Sequence, residues 1–275
     1  MNKKLIFVDI DGTLTPAGSN VPPDSALRAI RRAQANGHRV FLCTGRNYAM
    51  LKPLLKYGFD GMVASAGGYV TVGDEVIYDC PMTREQTETA LTSLHEGGVF
   101  CTIEAKDCTY GDENLNDFLK DQPAGNSEIE RWRKALSSSL DIHPMREYDG
   151  RPVYKVVIMC MADSQLIPAR RLLEKDFDFV IQEVPAHGCL NGELINRAFD
   201  KGKGVLRIAE KLGVPVEDTI GFGDSMNDLT MIQTVHTSVC MENGAKAFKE
   251  ISTMVVPSVE NDGLYRGFER LGLLQ

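Results

Sequence analysis

Cysteines in paired spacing, long apolar runs and an excess of positive charge are what this chain of 275 residues lacks. Its seven cysteines are odd in number, scattered at positions 43, 80, 101, 108, 160, 189 and 240, and never spaced Cys-x-x-Cys. That argues against a disulfide framework and a structural zinc site, and for the reduced thiols of a cytosolic protein. The apolar stretch near the N-terminus is too short for a signal peptide or a membrane span, and no other segment approaches the roughly 18 apolar residues a span needs. The expected location is the cytoplasm, with no membrane partner. Acidic residues outnumber basic ones 38 to 30, a net charge of −8. Nucleic acids and anionic membranes both need basic surface, so neither is an expected partner. A small anionic substrate stays open, because a metal and a few cations can invert the field inside a cleft. There is no internal repeat, low-complexity tract or flexible linker. Hydrophobic residues at 43% and charged residues at 25% are ordinary for a globular protein, and the length suits one large or two modest domains.

What is present reads as alternating strands and helices. Residues 5–10 form a short β-rich apolar run, the pattern of a buried parallel strand. Pro22-Pro23 opens a helix whose inner face carries Leu27, Ile30 and Ala33, with Gly37 past its end. A second strand at 39–43, a helix through Met50, Leu51, Leu54 and Leu55, and a third strand at 61–65 complete a β-α-β-α-β series. That order predicts an α/β fold with a doubly wound parallel sheet. Near residue 70 the pattern changes to a hairpin, 69–72 with 76–78. A helix then begins at Thr83, with Gln86 as its capping-box partner. Strands at 153–161 and 179–184 and a helix at 168–176 follow, while 121–150 is polar and irregular. The doubly wound pattern resumes with a helix at 203–211, a strand at 219–222, a helix at 227–234 and short strands at 239–241 and 254–256. The expected organisation is a core of residues 1–80 and 189–275, interrupted by an α+β cap of residues 81–188.

Four clusters carry candidate chemistry. Asp9-Ile10-Asp11-Gly12-Thr13 ends the first strand. Alternation starts both carboxylates on one side, Gly12 permits a sharp turn, and the mutual repulsion invites a divalent cation with oxygen preference such as Mg²⁺. The plainer reading is an exposed turn. Thr44-Gly45-Arg46 follows the second strand and offers a hydroxyl and a backbone N–H as a phosphate seat, although such a pair is more often just a turn. Gly221-Phe222-Gly223-Asp224-Ser225-Met226-Asn227-Asp228 puts carboxylates at another strand end. A helix N-cap explains part of it, but not two glycines inside a strand, where glycine weakens pairing. Lys201-Gly202-Lys203-Gly204 opens a helix and supplies a cation for phosphate oxygens; alone it would be a solvated basic loop. Asp9, Asp11, Thr44 and Asp224 all follow strands directly, and ligands of open α/β sheets bind at the carboxyl ends of the strands. One crevice can therefore hold all of them.

These four motifs in chain order, with Lys201 third and Gly223-Asp224 to Asn227-Asp228 fourth, resemble the haloacid dehalogenase superfamily. The long insert and the tail from Val256 to Gly263 resemble its Cof-type subgroup with the larger, C2 (type IIB) cap. The resemblance implies a phosphatase acting on a small soluble phosphate monoester, a sugar phosphate or a phosphorylated cofactor, through an aspartyl-phosphate. Asp9 would attack phosphorus, and Asp11 would serve as acid and then base. Thr44, Gly45 and Lys201 would hold the phosphoryl oxygens, with Asn227 near the phosphate and Lys201. Asp9, the carbonyl of Asp11 and Asp224 would bind Mg²⁺, with Asp228 in support. Lys203 competes with Lys201 for its role. Ser65-Ala66-Gly67-Gly68 stands where the family often carries Asn-Gly. Residues 184–191 of the cap are expected to close over the leaving group. A phosphomutase or phosphotransferase of the same superfamily, and a non-catalytic binding protein on the same scaffold, are the competing readings.

Overall fold

The computed structural model describes residues 3–113, 142–184 and 189–275. The chain divides into two compact units, one of Met1–Arg46, Leu51–Asp79 and Phe199–Gln275, the other of Asn47–Met50 and Cys80–Ala198. In chain order the described elements begin with β1 (Leu5–Val8), α1 (Asp24–Ala35), β2 (Arg39–Cys43), α2 (Tyr48–Leu55), β3 (Gly61–Ala64), β4 (Tyr69–Val72) and β5 (Glu75–Asp79). The second unit continues with α3 (Arg84–Glu96), β6 (Phe100–Ala105), β7 (Thr109–Gly111), β8 (Ile142–Pro144), β9 (Val153–Cys160), α4 (Ile167–Leu173), β10 (Phe177–Val184) and β11 (Cys189–Asn196). The first unit resumes with α5 (Lys201–Leu212), β12 (Thr219–Gly223), α6 (Leu229–Thr234), β13 (Thr237–Met241), α7 (Lys246–Ile251), β14 (Met254–Val256) and α8 (Gly263–Arg270).

The first unit is built on an eight-stranded sheet in the order β14-β13-β12-β1-β2-β3-β4-β5. Every pair from β14 to β3 is parallel, and β4 and β5 add an antiparallel edge. All four residues of β1 are buried, as a strand covered on both faces requires. On one face Leu5, Phe7, Phe41 and Val63 pack with Val205 and Ile208 of α5 and Met231 and Ile232 of α6. The opposite face is covered by α1 and α8, with Phe222 and Phe268 ring to ring at 5.3 Å. Because the central strands are parallel, Asp9, Thr44 and Asp224 leave the sheet at the same, carboxyl ends of their strands. The predicted doubly wound α/β core is therefore present.

The second unit has a six-stranded sheet, β10-β11-β9-β6-β7-β8, antiparallel except for β7 with β8. One face packs against α3 and α4 through Leu94, Ile103, Ile158, Leu166 and Phe177. The Thr83–Gln86 capping box forms as the spacing predicts. The boundary expected at 188/189 lies instead at Ala198/Phe199. Residues 189–196 pair in antiparallel register with both β10 and β9, so they belong to this sheet. The unit also takes in Asn47–Met50, because the Asn47 amide donates to Ala105 O at 2.9 Å and Thr109 Oγ1 at 3.3 Å. Of the cap segment expected at 184–191, residues 185–188 lie outside the described residues, as do 121–141 of the irregular stretch.

Candidate active site

Asp9 is the first residue beyond β1, and its N–H donates to Phe222 O at 2.9 Å, continuing the β1–β12 ladder. The residue is buried, at 4% exposure. Lys201 reaches it from the first position of α5. That helix starts two residues before the sequence pattern suggested, because the Asp200 side chain caps it by accepting the Lys203 N–H at 2.7 Å. Lys201 Nζ donates to Asp9 Oδ1 at 2.8 Å and to Asp228 Oδ1 at 2.5 Å. Lys203 is exposed and pairs with Asp200. The two lysines are thus told apart by helix phase, and Lys201 is the one among the carboxylates.

Asp228 is wholly buried. Its second oxygen accepts the backbone N–H groups of Asp224 at 3.2 Å and Ser225 at 3.4 Å. The glycines of β12 now have reasons. A Cβ on Gly223 would lie 2.6 Å from Asp228 Oδ2, and one on Gly221 would press on Val235 and Met231 of the overlying segment. Asn227, expected beside Lys201, is instead exposed, and its Oδ1 accepts from Ser225 Oγ at 2.8 Å. A single turn of 3₁₀ helix at Met226–Asp228 points the next residue, Asp228, inward in its place.

Asp224 Oδ2 accepts from Asn243 Nδ2 at 3.3 Å, and the same amide donates to Gly12 O at 2.9 Å. Asn243 was not anticipated. Its only signal was position, in the turn that follows β13 at the same sheet edge. Gly12 sits at φ +82°, and a Cβ there would lie 2.3 Å from Asp224 Oδ2. The turn after Asp11 thus needs glycine both for its backbone and for the room it leaves a carboxylate. Asp11 itself is paired with Arg46, whose Nη2 lies 2.6 Å from Asp11 Oδ1; the sequence pattern had given Arg46 no role. Thr44 is buried and its Oγ1 accepts the Arg46 N–H at 3.1 Å, while a Cβ on Gly45 would meet open space. The stretch at 65–67 folds back on this turn through Ser65 N–H to Arg46 O and Ala66 N–H to Thr44 O. Ser65 and Ala66 hold left-handed φ of 49° and 55° to do so, a conformation that costs non-glycine residues of order 1 kcal/mol each.

Electrostatics set the character of the site. Burial, then the charge of Asp228, raises the Asp9 carboxyl to about 8 against the pull of Lys201. Burial and Asp228 raise Asp224 to about 6. Burial alone would lower Lys201; the carboxylates of Asp228 and Asp9 outweigh it and hold its pKa above the ordinary lysine value. Lys201 thus pairs with two of three neighbouring carboxyls, Asp9 and Asp228, with Asp224 beside them. Oxygens of Asp9, Asp224 and Asp228 lie within 4.8 Å of one another, and Asp224 Oδ1 is buried and, among the described residues, has no partner in hydrogen-bond geometry. A hard divalent cation relieves such a surplus of buried negative charge and accepts such an oxygen. A second grouping, His95, Cys101 and Asp112, lies in the other unit. There His95 Nε2 meets Asp112, Asp112 Oδ2 accepts the Cys101 N–H, and burial holds the thiol well above its ordinary value. It ties α3 to β6.

The model of the haloacid dehalogenase-like hydrolases matches residues 6–268. The chain belongs to that family. Within it the chain falls among the Cof-type enzymes and the phosphatases, whose members generally use a divalent metal ion. It is 28% identical to the putative phosphatase YkrA of Bacillus subtilis over 276 residues, covering all of both chains. It is 25% identical to the 5-amino-6-(5-phospho-D-ribitylamino)uracil phosphatase YwtE of the same organism, covering 95% of each. A solved sugar phosphatase of haloacid dehalogenase subclass IIB shares the fold with a TM-score of 0.77 at 22% identity, over 98% of this chain and 100% of that one. Among the described residues no helix is long and apolar enough to cross a membrane.

Proposed function

We propose that this enzyme is a Mg²⁺-dependent phosphatase of a small soluble phosphate monoester, acting in the cytoplasm through phosphorylation of Asp9. The observation that carries the reading is the buried bridge of Lys201 between Asp9 and Asp228, with Asp224 beside them. A carboxylate so placed can be phosphorylated, which divides a difficult displacement into two easier ones. Asp11 gives a proton to the leaving oxygen and later takes one from water. Lys201 and the turn of Thr44 and Gly45 hold the phosphoryl oxygens. Asp9, Asp224 and the backbone carbonyl of Asp11 would hold the cation, which when bound neutralises charge on the phosphoryl group. Asp228 keeps Lys201 charged and in place. Asn227, bonded to Ser225, has no part in this set.

The substrate class follows from charge and kinship. A net charge of −8 does not attract nucleic acid, and the relatives described above include enzymes of a ribitylaminouracil phosphate and of sugar phosphates. A sugar phosphate or a phosphorylated cofactor is the proposed substrate. The test is phosphate release from p-nitrophenyl phosphate and a panel of small monoesters, with Mg²⁺ against EDTA and wild type against Asp9→Asn. Release should need Mg²⁺ and should fall on the order of 10³-fold or more in the variant. Comparable turnover by Asp9→Asn would sink the reading, and phosphate passed only to an added sugar would mark a transferase.

A further inference from the structure

Arg46 follows the turn of Thr44 and Gly45, and its guanidinium engages both oxygens of Asp11. Nε donates to Oδ2 at 2.8 Å and Nη2 to Oδ1 at 2.6 Å, a bidentate fork. The Gly18 N–H adds a donor to Oδ1 at 2.9 Å. Arg46 is itself held from behind. Its Nη1 donates to Asn20 Oδ1 at 2.6 Å, its Nη2 also to Ser19 O at 3.2 Å, and its backbone carbonyl accepts the Ser65 N–H at 2.8 Å. Pairs this near the surface contribute little to stability, at most about 1 kcal/mol. What a planar fork does, and a point charge cannot, is fix the plane of a carboxylate. Asp11 lies on a turn ending in Gly12 and its side chain is 26% exposed; the fork grips both of its oxygens at once and so fixes that plane.

We propose that Arg46 is the positioning residue for Asp11, fixing the carboxyl that transfers protons in both halves of the reaction. The inference rests on the reading of Asp9 as nucleophile and Asp11 as acid and base. In the first half an Asp9 oxygen bonds to phosphorus as the ester P–O bond breaks. The electron pair stays on the leaving oxygen, which takes the proton of Asp11. In the second half a water oxygen bonds to phosphorus and gives a proton to Asp11 as the bond between Asp9 and phosphorus breaks. Ester and water have become alcohol and phosphate, and Asp11 has its proton back. Arg46 also connects this acid to the phosphate seat, since its own N–H is held by Thr44 Oγ1.

Proton donation matters most for a leaving oxygen that departs poorly as an anion. Phenol, with a pKa near 10 as in tyrosine, needs it more than p-nitrophenol. The experiment compares kcat/KM for phenyl and p-nitrophenyl phosphate in the full chain with Mg²⁺, for wild type, Arg46→Ala, Arg46→Lys, Asp11→Asn and Asp9→Asn. Arg46→Ala should lose about tenfold more on the phenyl ester than on the nitrophenyl ester, a fraction of the 10²–10⁴ that acid–base catalysis contributes. Asp11→Asn should show the same bias more deeply, and Arg46→Lys should fall between wild type and alanine. Equal loss on the two esters would overturn the proposal, making Arg46 a binder of the phosphoryl group. Unchanged rates in Arg46→Ala would overturn it too. If alanine loses its melting transition, the lysine variant, which keeps stem and charge, decides by the same bias. Activity in Asp9→Asn would sink the underlying reading instead, whatever Arg46 does.

Discussion

Lys201 brings a positive charge into a space where water is nearly absent, and it stays there because two carboxylates meet it. Such a buried set contributes little net stability when intact, yet removing one member leaves the others desolvated and unpaired. Lys201→Met should therefore lower the unfolding free energy of the metal-free protein by about 3 kcal/mol, measured by urea denaturation, besides abolishing phosphate release. An unchanged midpoint would mean that Asp9 and Asp228 are not its charge partners. The same scale explains Asn227 and Asp228. Adjacent residues of one motif end on opposite sides of a 3₁₀ turn, one bonded to Ser225 in solvent and the other at Lys201. Residue type makes both candidates, and backbone direction separates them.

The glycines of β12 show how an element serves the site. A methyl group on Gly223 would strike the carboxyl of Asp228 at 2.6 Å, while one on Gly221 would meet the side chains of Val235 and Met231 at 3.1 and 3.3 Å. Apolar side chains can shift by a few tenths of an ångström, but a carboxyl held by Lys201 and two N–H groups cannot shift without losing them. Gly223→Ala should then cost at least tenfold in phosphate release as well as about 1–3 kcal/mol of stability. Gly221→Ala should cost about 1 kcal/mol and leave turnover within about twofold. Steady-state rates beside thermal melts of the two variants separate the cases. Equal rates would show that the Asp228 carboxyl has another place to go. In the same way the cap of α5 by Asp200 belongs to function as much as to helix stability, because it sets the position from which Lys201 enters.

At the scale of the whole molecule, the first unit also carries a pH liability away from its site. His38 is buried just ahead of β2, and its Nδ1 accepts the Lys4 N–H at 3.0 Å. Burial first, and the Lys4 ammonium second, lower its pKa below 6.5. A depressed pKa means that the unfolded chain binds this proton more readily than the folded one. The stability that His38 contributes is present above 6.5 and is lost as pH falls through its folded value. Between pH 7.5 and 5.5 the wild type should lose more melting temperature than His38→Gln, which keeps an acceptor but does not titrate. Parallel loss in both proteins would place the acid sensitivity elsewhere.

Much of this was legible in the residues alone. Short apolar runs alternating with amphipathic stretches specify a parallel sheet covered on both faces, because only that arrangement buries such strands. The acidic motifs after β1 and β12, and Thr44 after β2, follow from the rule that open sheets bind at the carboxyl ends of their strands. Local chemistry also placed the Thr83 cap and the turn at Gly12. What the residues left open was whatever depends on direction and pairing in three dimensions. Lys201 and Lys203 differ by two positions in a helix, so only its phase decides which is buried. Residues 189–196 have strand character that suits either sheet, and the antiparallel partners β10 and β9 assigned them to the second. Arg46 and Asn243 carry no motif of their own. They matter because the fold brings them to Asp11 and Asp224, and a contact across 35 residues, as for Arg46 and Asp11, or 19, as for Asn243 and Asp224, is a property of the tertiary structure.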